Sequence, residues 1–262
     1  MPALTIAPIP AFTDNYIWCL HDGETAVVVD PGDASPVRAF LQQHNLTLAG
    51  ILVTHHHWDH VGGIESLVKE WTNIPVWGPA AEHIPCRTEA LKQGDSVVLP
   101  FGFRFDVLEV PGHTLGHIAY YCEDWAGTGP VLLSGDTLFS SGCGRLFEGT
   151  AEQMHHSLGL FKRLPGATRV YCTHEYTQAN LRFALAVEPD NPDILARQDQ
   201  VTDLRAQECP SLPTTLSLEL KVNPFLRVDK PSVQLAVARN CGSDPSGEVD
   251  IFAKLRSWKD HF

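Results

Sequence analysis

A short motif that begins at Thr54, THHHWDH, carries four histidines and one aspartate within seven residues. Imidazole nitrogens and carboxylate oxygens are ligands for borderline divalent cations such as zinc. In a locally extended chain, His55 and His57 point to the same side because side chains alternate, whereas His56 points to the other side. The adjacent pair Asp59–His60 diverges and so serves a different centre. The spacing therefore predicts ligands for two neighbouring metal ions, with His56 binding neither.

Three further candidate ligands, His113, Asp136 and His174, each stand at the end of a short predicted strand. In open α/β sheets, sites form where the strands end, so we expect these side chains to join the motif. Together the strand ends supply seven nitrogen and oxygen donors: His55, His57, Asp59, His60, His113, Asp136 and His174. Seven such donors suit two divalent ions per chain, with zinc as the favoured metal and iron or manganese as alternatives.

The seven donors divide into two sets that share one member. One predicted ion is bound by His55, His57 and His113. The second predicted ion is bound by Asp59, His60 and His174. Asp136 is predicted to bridge both ions through its two carboxylate oxygens. This arrangement is a dinuclear centre built entirely from histidine and aspartate, with no cysteine ligand.

The elements around the motif position it at a strand end. Residues 49–53 form an apolar run with a β-branched end, as in a strand that is buried on both faces. Residues 64–71 have helical spacing. The motif is therefore predicted to lie on a turn between this strand and this helix.

Strands alternate with helices up to about residue 173, and the pattern is helical afterwards. Predicted helices cover residues 36–43, 151–164, 178–187, 192–207 and 249–259. Ser35 is the predicted N-cap of the first helix, and Thr150 with Gln153 forms a capping box for the second. The pattern predicts an α/β sandwich followed by a smaller helical region from residue 174 to residue 262.

The composition excludes several classes of partner. The formal net charge of −12 argues against nucleic acid, and no run approaches the 18 apolar residues of a membrane span. The first basic residue is Arg38, so no targeting segment is predicted. Seven cysteines without C-x-x-C spacing favour free thiols in a reducing compartment. We therefore expect a cytoplasmic monomer without nucleic-acid or membrane partners.

Four segments carry a resemblance to a known superfamily: THHHWDH, PGHTLGH, SGDTLF and CTHEYT. They are similar to the metal-binding motifs of the metallo-β-lactamase superfamily. Within it, the chain resembles the glyoxalase II (hydroxyacylglutathione hydrolase) family. This narrower resemblance rests on GCGRLFEGT from Gly142, NPFLR from Asn223 and RSWKDHF from Arg256. These segments are distributed over the whole chain.

The resemblance implies a four-layer αβ/βα metallo-β-lactamase sandwich followed by a smaller C-terminal helical domain. Residues 1–173 would form the catalytic domain, and residues 174–262 the substrate-binding domain. It implies S-D-lactoylglutathione as the substrate, cleaved to glutathione and D-lactate in the second step of methylglyoxal detoxification. The family's glutathione contacts fall on Arg145, Phe147, Tyr176, Arg256 and Lys259. Arg145 replaces a lysine of some members and keeps its charge, whereas Phe147 replaces a tyrosine and lacks the hydroxyl.

The expected chemistry is thioester hydrolysis by a metal-bridging hydroxide. Two metals roughly 3.5–4 Å apart can hold such a hydroxide, and metal binding lowers the pKa of the parent water to around 7. The thiolate of glutathione is a good leaving group, so no serine or cysteine nucleophile is needed. Catalytic roles are predicted for Asp59, which ligates and orients the hydroxide, and for Asp136, which bridges the metals.

Other interpretations fit the sequence less well. A metallo-β-lactamase proper often uses a cysteine ligand and lacks the helical region that carries Arg256 and Lys259. A persulfide dioxygenase shares the fold but uses one iron, which the set Asp59, His60 and His174 disfavours. A nuclease is disfavoured by the acidic charge, and a lactonase remains an alternative relative. A metal-binding protein without catalysis would be distinguished by its failure to turn over a lactoylglutathione thioester.

Overall fold

The computed structural model describes residues 4–242 and 245–262. The chain divides into two compact units, and each is described by itself. The first unit comprises the residues up to Glu109 together with Gly116–Gly135. The second unit comprises Val110–Leu115 and Asp136–Phe262. In the described part of the chain, no helix combines the length and apolar character needed to cross a membrane.

The first unit contains a mixed sheet of six strands in chain order. The strands are β1 Thr5–Ala11, β2 Asn15–His21, β3 Thr25–Val29, β4 Thr47–Leu52, β5 Val76–Pro79 and β6 Glu89–Leu91. The first three pair antiparallel, and β3 to β6 pair parallel. Its helices are α1 Ala34–His44, α2 Trp58–Val61 and α3 Ile64–Glu70. The strands β2 and β3 are almost wholly buried, because α1 and α3 share one apolar cluster with the sheet.

Four antiparallel strands form a second sheet in this unit. They are β7 Ser96–Val98, β8 Arg104–Glu109, β9 Ile118–Cys122 and β10 Val131–Gly135. The hydroxyl of the buried Tyr120 on β9 donates to the carbonyl oxygen of Val53, just after β4, over 2.8 Å. This bond connects the second sheet to the strand end that leads into the THHHWDH motif.

The first helix starts two residues earlier than predicted, and its cap is a different residue. Asp33, and not Ser35, is the N-cap of α1, since its Oδ1 accepts from the backbone nitrogen of Ser35 over 2.8 Å. The prediction was wrong because both residue types cap helices, and only the backbone angles separate them. Asp33 is extended there, and α1 begins at Ala34.

The second unit is mostly helical. Its elements are β11 Leu138–Phe139, β12 Gly142–Cys143, α4 Ala151–Phe161, β13 Arg169–Cys172, α5 Thr177–Val187, α6 Pro192–Ala206, β14 Thr214–Thr215, α7 Leu216–Val222, a 3₁₀ turn Pro224–Leu226, α8 Pro231–Cys241 and α9 Glu248–Asp260. The capping box of Thr150 and Gln153 is present at the start of α4, as predicted. The helices α7 and α8 were not predicted, since α7 is short and α8 lacks a side-chain cap.

Candidate metal centre and substrate cavity

His55 and His57 follow β4 and converge as the alternation argument predicts. His57 has a φ of −59° and a ψ of 145°, close to polyproline II, and His55 Nε2 lies 3.1 Å from His57 Nδ1. Zinc–nitrogen bonds of about 2.0–2.1 Å at tetrahedral angles would place two ligand atoms about 3.3 Å apart. The two nitrogens are therefore spaced as two ligands of one ion would be.

The tautomer of His55 follows from a buried hydrogen-bond chain. The hydroxyl of Thr54 donates its one proton to Asp30 Oδ2 over 2.7 Å. Thr54 Oγ1 lies 3.1 Å from His55 Nδ1, so it can only accept there. His55 then carries its proton on Nδ1 and turns the lone pair of Nε2 towards His57. Asp30 was not singled out from the sequence, although it ends β3 in an Asp-Pro-Gly turn.

Asp59 and His60 lie on a one-turn helix, and not on the turn that the sequence predicted. The helix α2 begins at Trp58, inside the motif, and brings Asp59 Oδ2 within 3.6 Å of His60 Nε2. Asn15 Nδ2 donates to the same oxygen of Asp59 over 3.0 Å. His60 Nδ1 lies 3.1 Å from Asp30 Oδ2.

This helix packs closely against the turn after β3, and a glycine makes the approach possible. A Cβ at Gly32 would lie 1.9 Å from the carbonyl oxygen of Asp59. Any side chain at this position would therefore push Asp59 out of place. The requirement links the Asp-Pro-Gly turn to the geometry of the motif.

His56 faces a different partner from its two neighbours. Its Nδ1 lies 2.9 Å from Oε2 of Glu82, a carboxylate that is almost fully buried. The other oxygen of Glu82 accepts from the backbone nitrogen of Gly116 over 3.1 Å. Glu82 was missed from the sequence because 26 residues separate it from His56. The contact with Glu82 orients the ring of His56 within the first unit.

The second unit brings His113, Asp136 and His174 together. Asp136 Oδ2 lies 3.2 Å from His174 Nε2 and 3.5 Å from His113 Nε2. All three side chains are buried. Both histidines therefore lie beside the same carboxylate, and the bridging role of Asp136 stays a prediction.

The backbone of Gly144 and Arg145 packs against the Nδ1 side of the His113 ring. His113 Nδ1 donates to the carbonyl oxygen of Arg145 over 2.9 Å, which leaves the lone pair on Nε2. A Cβ at Gly144 would lie 2.1 Å from the carbonyl oxygen of Asp136 and 2.9 Å from His113 Nδ1. Glycine is therefore required for this close approach.

A cavity of about 480 Å³ opens beside these ligand candidates in the second unit. Its lining includes His113, Asp136, Arg145, Tyr176, Arg256 and Lys259. The ring of Tyr176 stacks on His174 with centroids 4.6 Å apart. The exposed Phe147 also lines the cavity, and its ring centroid lies 5.3 Å from that of His113. Three of these lining side chains are cations, in a protein whose net charge is −12.

The three cations differ in how firmly the protein holds them. Arg256 is 3% exposed, and it donates to the carbonyl oxygen of Cys143 over 2.9 Å and pairs with Asp260 at 3.0 Å. Arg145 is exposed and lies 3.7 Å from the same oxygen of Asp260. Burial lowers the pKa of the Lys259 ammonium to about 8, and nearby Arg256 contributes to this shift.

Comparison with known proteins identifies the family. Residues 12–174 match the metallo-beta-lactamase superfamily, and residues 175–262 match the hydroxyacylglutathione hydrolase C-terminus. Proteins named hydroxyacylglutathione hydrolase from Cupriavidus metallidurans and Pseudomonas aeruginosa are 53% and 54% identical. The alignments cover 99% of this chain and 99% and 100% of those proteins. The chain belongs to the hydroxyacylglutathione hydrolase family.

Two solved structures that carry other names share the fold of this chain. ETHE1 from Myxococcus xanthus has a TM-score of 0.62 at 23% identity, covering 98% of this chain and 97% of its own. TTHA1623, solved in a di-iron-bound form, has a TM-score of 0.57 at 27% identity, covering 85% of this chain and 100% of its own. The predicted family and the predicted metallo-β-lactamase fold with a helical C-terminal domain are confirmed. The roles of individual site residues stay predictions.

Proposed function

We propose that this protein hydrolyses S-D-lactoylglutathione to glutathione and D-lactate, the second step of methylglyoxal detoxification. The observation that carries the proposal is the cavity of the second unit. It combines two ligand candidates, His113 and Asp136, with three cations that suit the two carboxylates of a glutathione conjugate. Relatives that bear the name hydroxyacylglutathione hydrolase match this chain over 99% of its length.

The donor set supports two divalent ions per chain. Within each unit, the donor atoms of neighbouring ligand candidates lie 3.1–3.6 Å apart, which suits bonds of about 2 Å to shared ions. Our proposed ligands are His55, His57 and His113 for one ion, and Asp59, His60 and His174 for the other, with Asp136 shared. Zinc is the proposed metal, and iron or manganese would also accept these ligands. When bound, such ions polarise a carbonyl and lower the pKa of water.

The residues of the chain prepare this chemistry in two ways. The proton on Nδ1 of His55 and of His113 keeps each Nε2 available as a ligand. Asn15 holds one oxygen of Asp59, and that fixed carboxylate would orient the attacking water. The site needs no protein nucleophile, since the glutathione thiolate leaves readily.

Substrate recognition is proposed to rest on charge and stacking in the second unit. Arg145 and Lys259 would bind the carboxylates of the glutathione part, while Tyr176 and Phe147 would contact its backbone. Arg256 already bonds Cys143 and Asp260, so its contribution would be to shape the cavity as well as to supply charge. Phe147 offers no hydroxyl, so that side chain would contribute apolar contact alone.

Several finer features belong to the same proposal. We infer a catalytic domain over residues 1–173 and a substrate-binding domain over residues 174–262. We also infer that the protein acts as a cytoplasmic monomer. Size-exclusion chromatography with light scattering would test the monomer, and cell fractionation would test the location.

One experiment tests the central proposal. Pure protein is analysed for metals and assayed with S-D-lactoylglutathione by the loss of thioester absorbance, with a β-lactam as the comparison substrate. The proposal predicts about two metal ions per chain, turnover of the thioester and none of the β-lactam. Metal-loaded protein that leaves the thioester intact would refute the proposal.

A further inference from the structure

We infer that Glu219, with Asn223 of the NPFLR segment, is a positioning residue for the substrate cavity. The two side chains hold the cavity hairpin, defined as residues Leu138–Cys143. The functional part of this inference rests on the proposed function, since it uses a glutathione thioester. Glu219 does not act through an ion pair, because its hydrogen-bond partners are all uncharged.

Glu219 on α7 is a fully buried carboxylate that accepts four hydrogen bonds. Its Oε2 accepts from the backbone nitrogen of Ser141 over 2.7 Å and from Asn223 Nδ2 over 3.1 Å. Its Oε1 accepts from the hydroxyls of Thr214 over 2.7 Å and of Ser140 over 3.1 Å. A carboxylate buried this deeply is expensive unless all its acceptor sites are used. The arrangement therefore fixes the turn of the hairpin tightly against α7.

Two asparagines donate further hydrogen bonds to the same turn. The buried Asn223 has two amide protons on Nδ2, which are shared among Glu219 Oε2 and the carbonyl oxygens of Phe139 at 3.2 Å and Gly142 at 2.9 Å. Asn180 donates to the carbonyl oxygen of Ser140 over 2.9 Å. The backbone polar groups of this turn are thus bound by side chains from the helical part of the unit. Without them, buried backbone groups would lack partners.

The turn has a conformation that needs such support. Ser141 has a φ of 58°, in the left-handed region that is unfavourable for a residue with a side chain. A Cβ at Gly142 would lie 2.6 Å from the amide of Asn180, so the strand leaves no room there. External hydrogen bonds therefore hold the hairpin in a shape that its own sequence disfavours.

The hairpin forms part of the cavity wall. Phe139 and Cys143 both line the cavity, and the carbonyl oxygen of Cys143 accepts from Arg256. The ring of Phe139 lies 5.4 Å from that of Tyr176, centroid to centroid. Movement of the turn would therefore shift the carbonyl that holds Arg256 and the ring that packs on Tyr176. Glu219 acts on substrate binding through these contacts without touching the substrate.

The hydrogen-bond pattern predicts which substitutions are tolerated. In Glu219→Gln, the side-chain oxygen can still accept from Ser141 and Asn223. The new amide group then faces two hydroxyls, those of Thr214 and Ser140, which can rotate and accept. Glu219→Ala leaves the backbone N–H of Ser141 buried and unpaired, and it removes one of the three acceptors around Asn223 Nδ2. Geometry, and not charge, is therefore the property that should matter.

The test compares Glu219→Ala, Glu219→Gln and the control Glu188→Ala. Glu188 is likewise a buried carboxylate of the second unit, bound by Arg227 and Ser232, and it does not line the substrate cavity. Each variant is measured below its unfolding midpoint for metal content, kcat and KM with lactoylglutathione, and for the Kd of S-methylglutathione. Glu219→Asp, whose carboxylate is one methylene shorter, replaces the alanine variant if that variant does not fold.

Glu219→Ala should raise KM and Kd at least about tenfold, while kcat and metal content change by less than about threefold. Glu219→Gln should restore wild-type KM and Kd, and Glu188→Ala should lower only the unfolding temperature. Unchanged KM and Kd in Glu219→Ala would overturn the positioning role, and an equal rise in Glu219→Gln would overturn the geometric explanation. A wild-type protein that binds S-methylglutathione without hydrolysing lactoylglutathione would refute only the proposed function. A wild-type protein that does neither would refute both.

Discussion

His113 donates from Nδ1 to the backbone carbonyl of Arg145 over 2.9 Å. One residue thus serves two purposes in the second unit. The main chain of Arg145 orients a proposed metal ligand, while its side chain lines the substrate cavity. Because the hydrogen bond to His113 is made by the main chain of Arg145, a substitution of the side chain can separate the two purposes.

Arg145→Ala should raise KM for lactoylglutathione and leave metal content unchanged. A charge-assisted hydrogen bond is worth roughly 1.5–3 kcal/mol, so the expected rise is about 10- to 100-fold. The matched control is Arg104→Ala, which removes a similarly exposed arginine that pairs with Asp106 in the first unit. Steady-state kinetics with elemental analysis measures both effects. Metal loss in Arg145→Ala would contradict the separation.

Asp136→Ala should lose at least one metal ion and most of kcat. Two histidines face the same oxygen of this carboxylate, so its removal would deprive both proposed ions of a shared anionic ligand. The protein should remain folded by circular dichroism, since the apolar cores lie elsewhere. Full metal occupancy with near-normal turnover in this variant would refute the bridging role.

His56→Ala should keep two metals per chain and lose activity modestly, whereas His57→Ala should lose metal. The ring of His56 faces Glu82, while His57 converges on His55. Elemental analysis of both variants under the same conditions makes the comparison. Equal metal loss in the two would show that alternation does not separate their roles.

Lys259→Ala should raise KM for lactoylglutathione about 10- to 100-fold with kcat little changed, because the ammonium would bind ground state and transition state alike. A thioester without the glutathione carboxylates should show no such effect, and it serves as the control substrate. Arg256→Ala should in addition lower the unfolding temperature, since it breaks a buried hydrogen bond to Cys143 and an ion pair with Asp260. An unchanged KM in the Lys259 variant would remove Lys259 from the glutathione site.

The pH dependence of KM should report the same ammonium. Burial lowers the pKa of Lys259 to about 8, so the charge that attracts carboxylates is present below that pH and lost above it. KM should therefore rise as the pH increases through about 8, while a variant Lys259→Arg, which stays charged, should show no rise in this range. The measurement is KM as a function of pH, from about pH 6 to about pH 10, a range that spans the lowered pKa of Lys259. Identical profiles for the two proteins would assign the dependence to another group.

Local spacing was enough to predict most of the candidate ligands. The alternation argument uses only neighbouring residues, and in the structure His55 and His57 converge while His56 faces Glu82. The capping box at Thr150 could likewise be predicted from the sequence, because the two residues that form it are three apart in the chain. The family and the fold were predicted for a similar reason, since the characteristic motifs are contiguous segments. Short-range geometry is fixed by covalent connection, so a sequence displays it directly.

The tertiary structure alone decided which distant groups support these ligands. Asp30 reaches Thr54 across 24 residues, Glu82 reaches His56 across 26, and Glu219 reaches Ser141 across 78. None of these carboxylates carries a local signal, because an isolated acidic residue in a sequence is usually on the surface. The start of α2 inside the motif and the close approach of His113 and His174 to Asp136 were also undetermined by spacing. Both depend on how closely the backbone packs, which is decided by contacts between segments far apart in the chain.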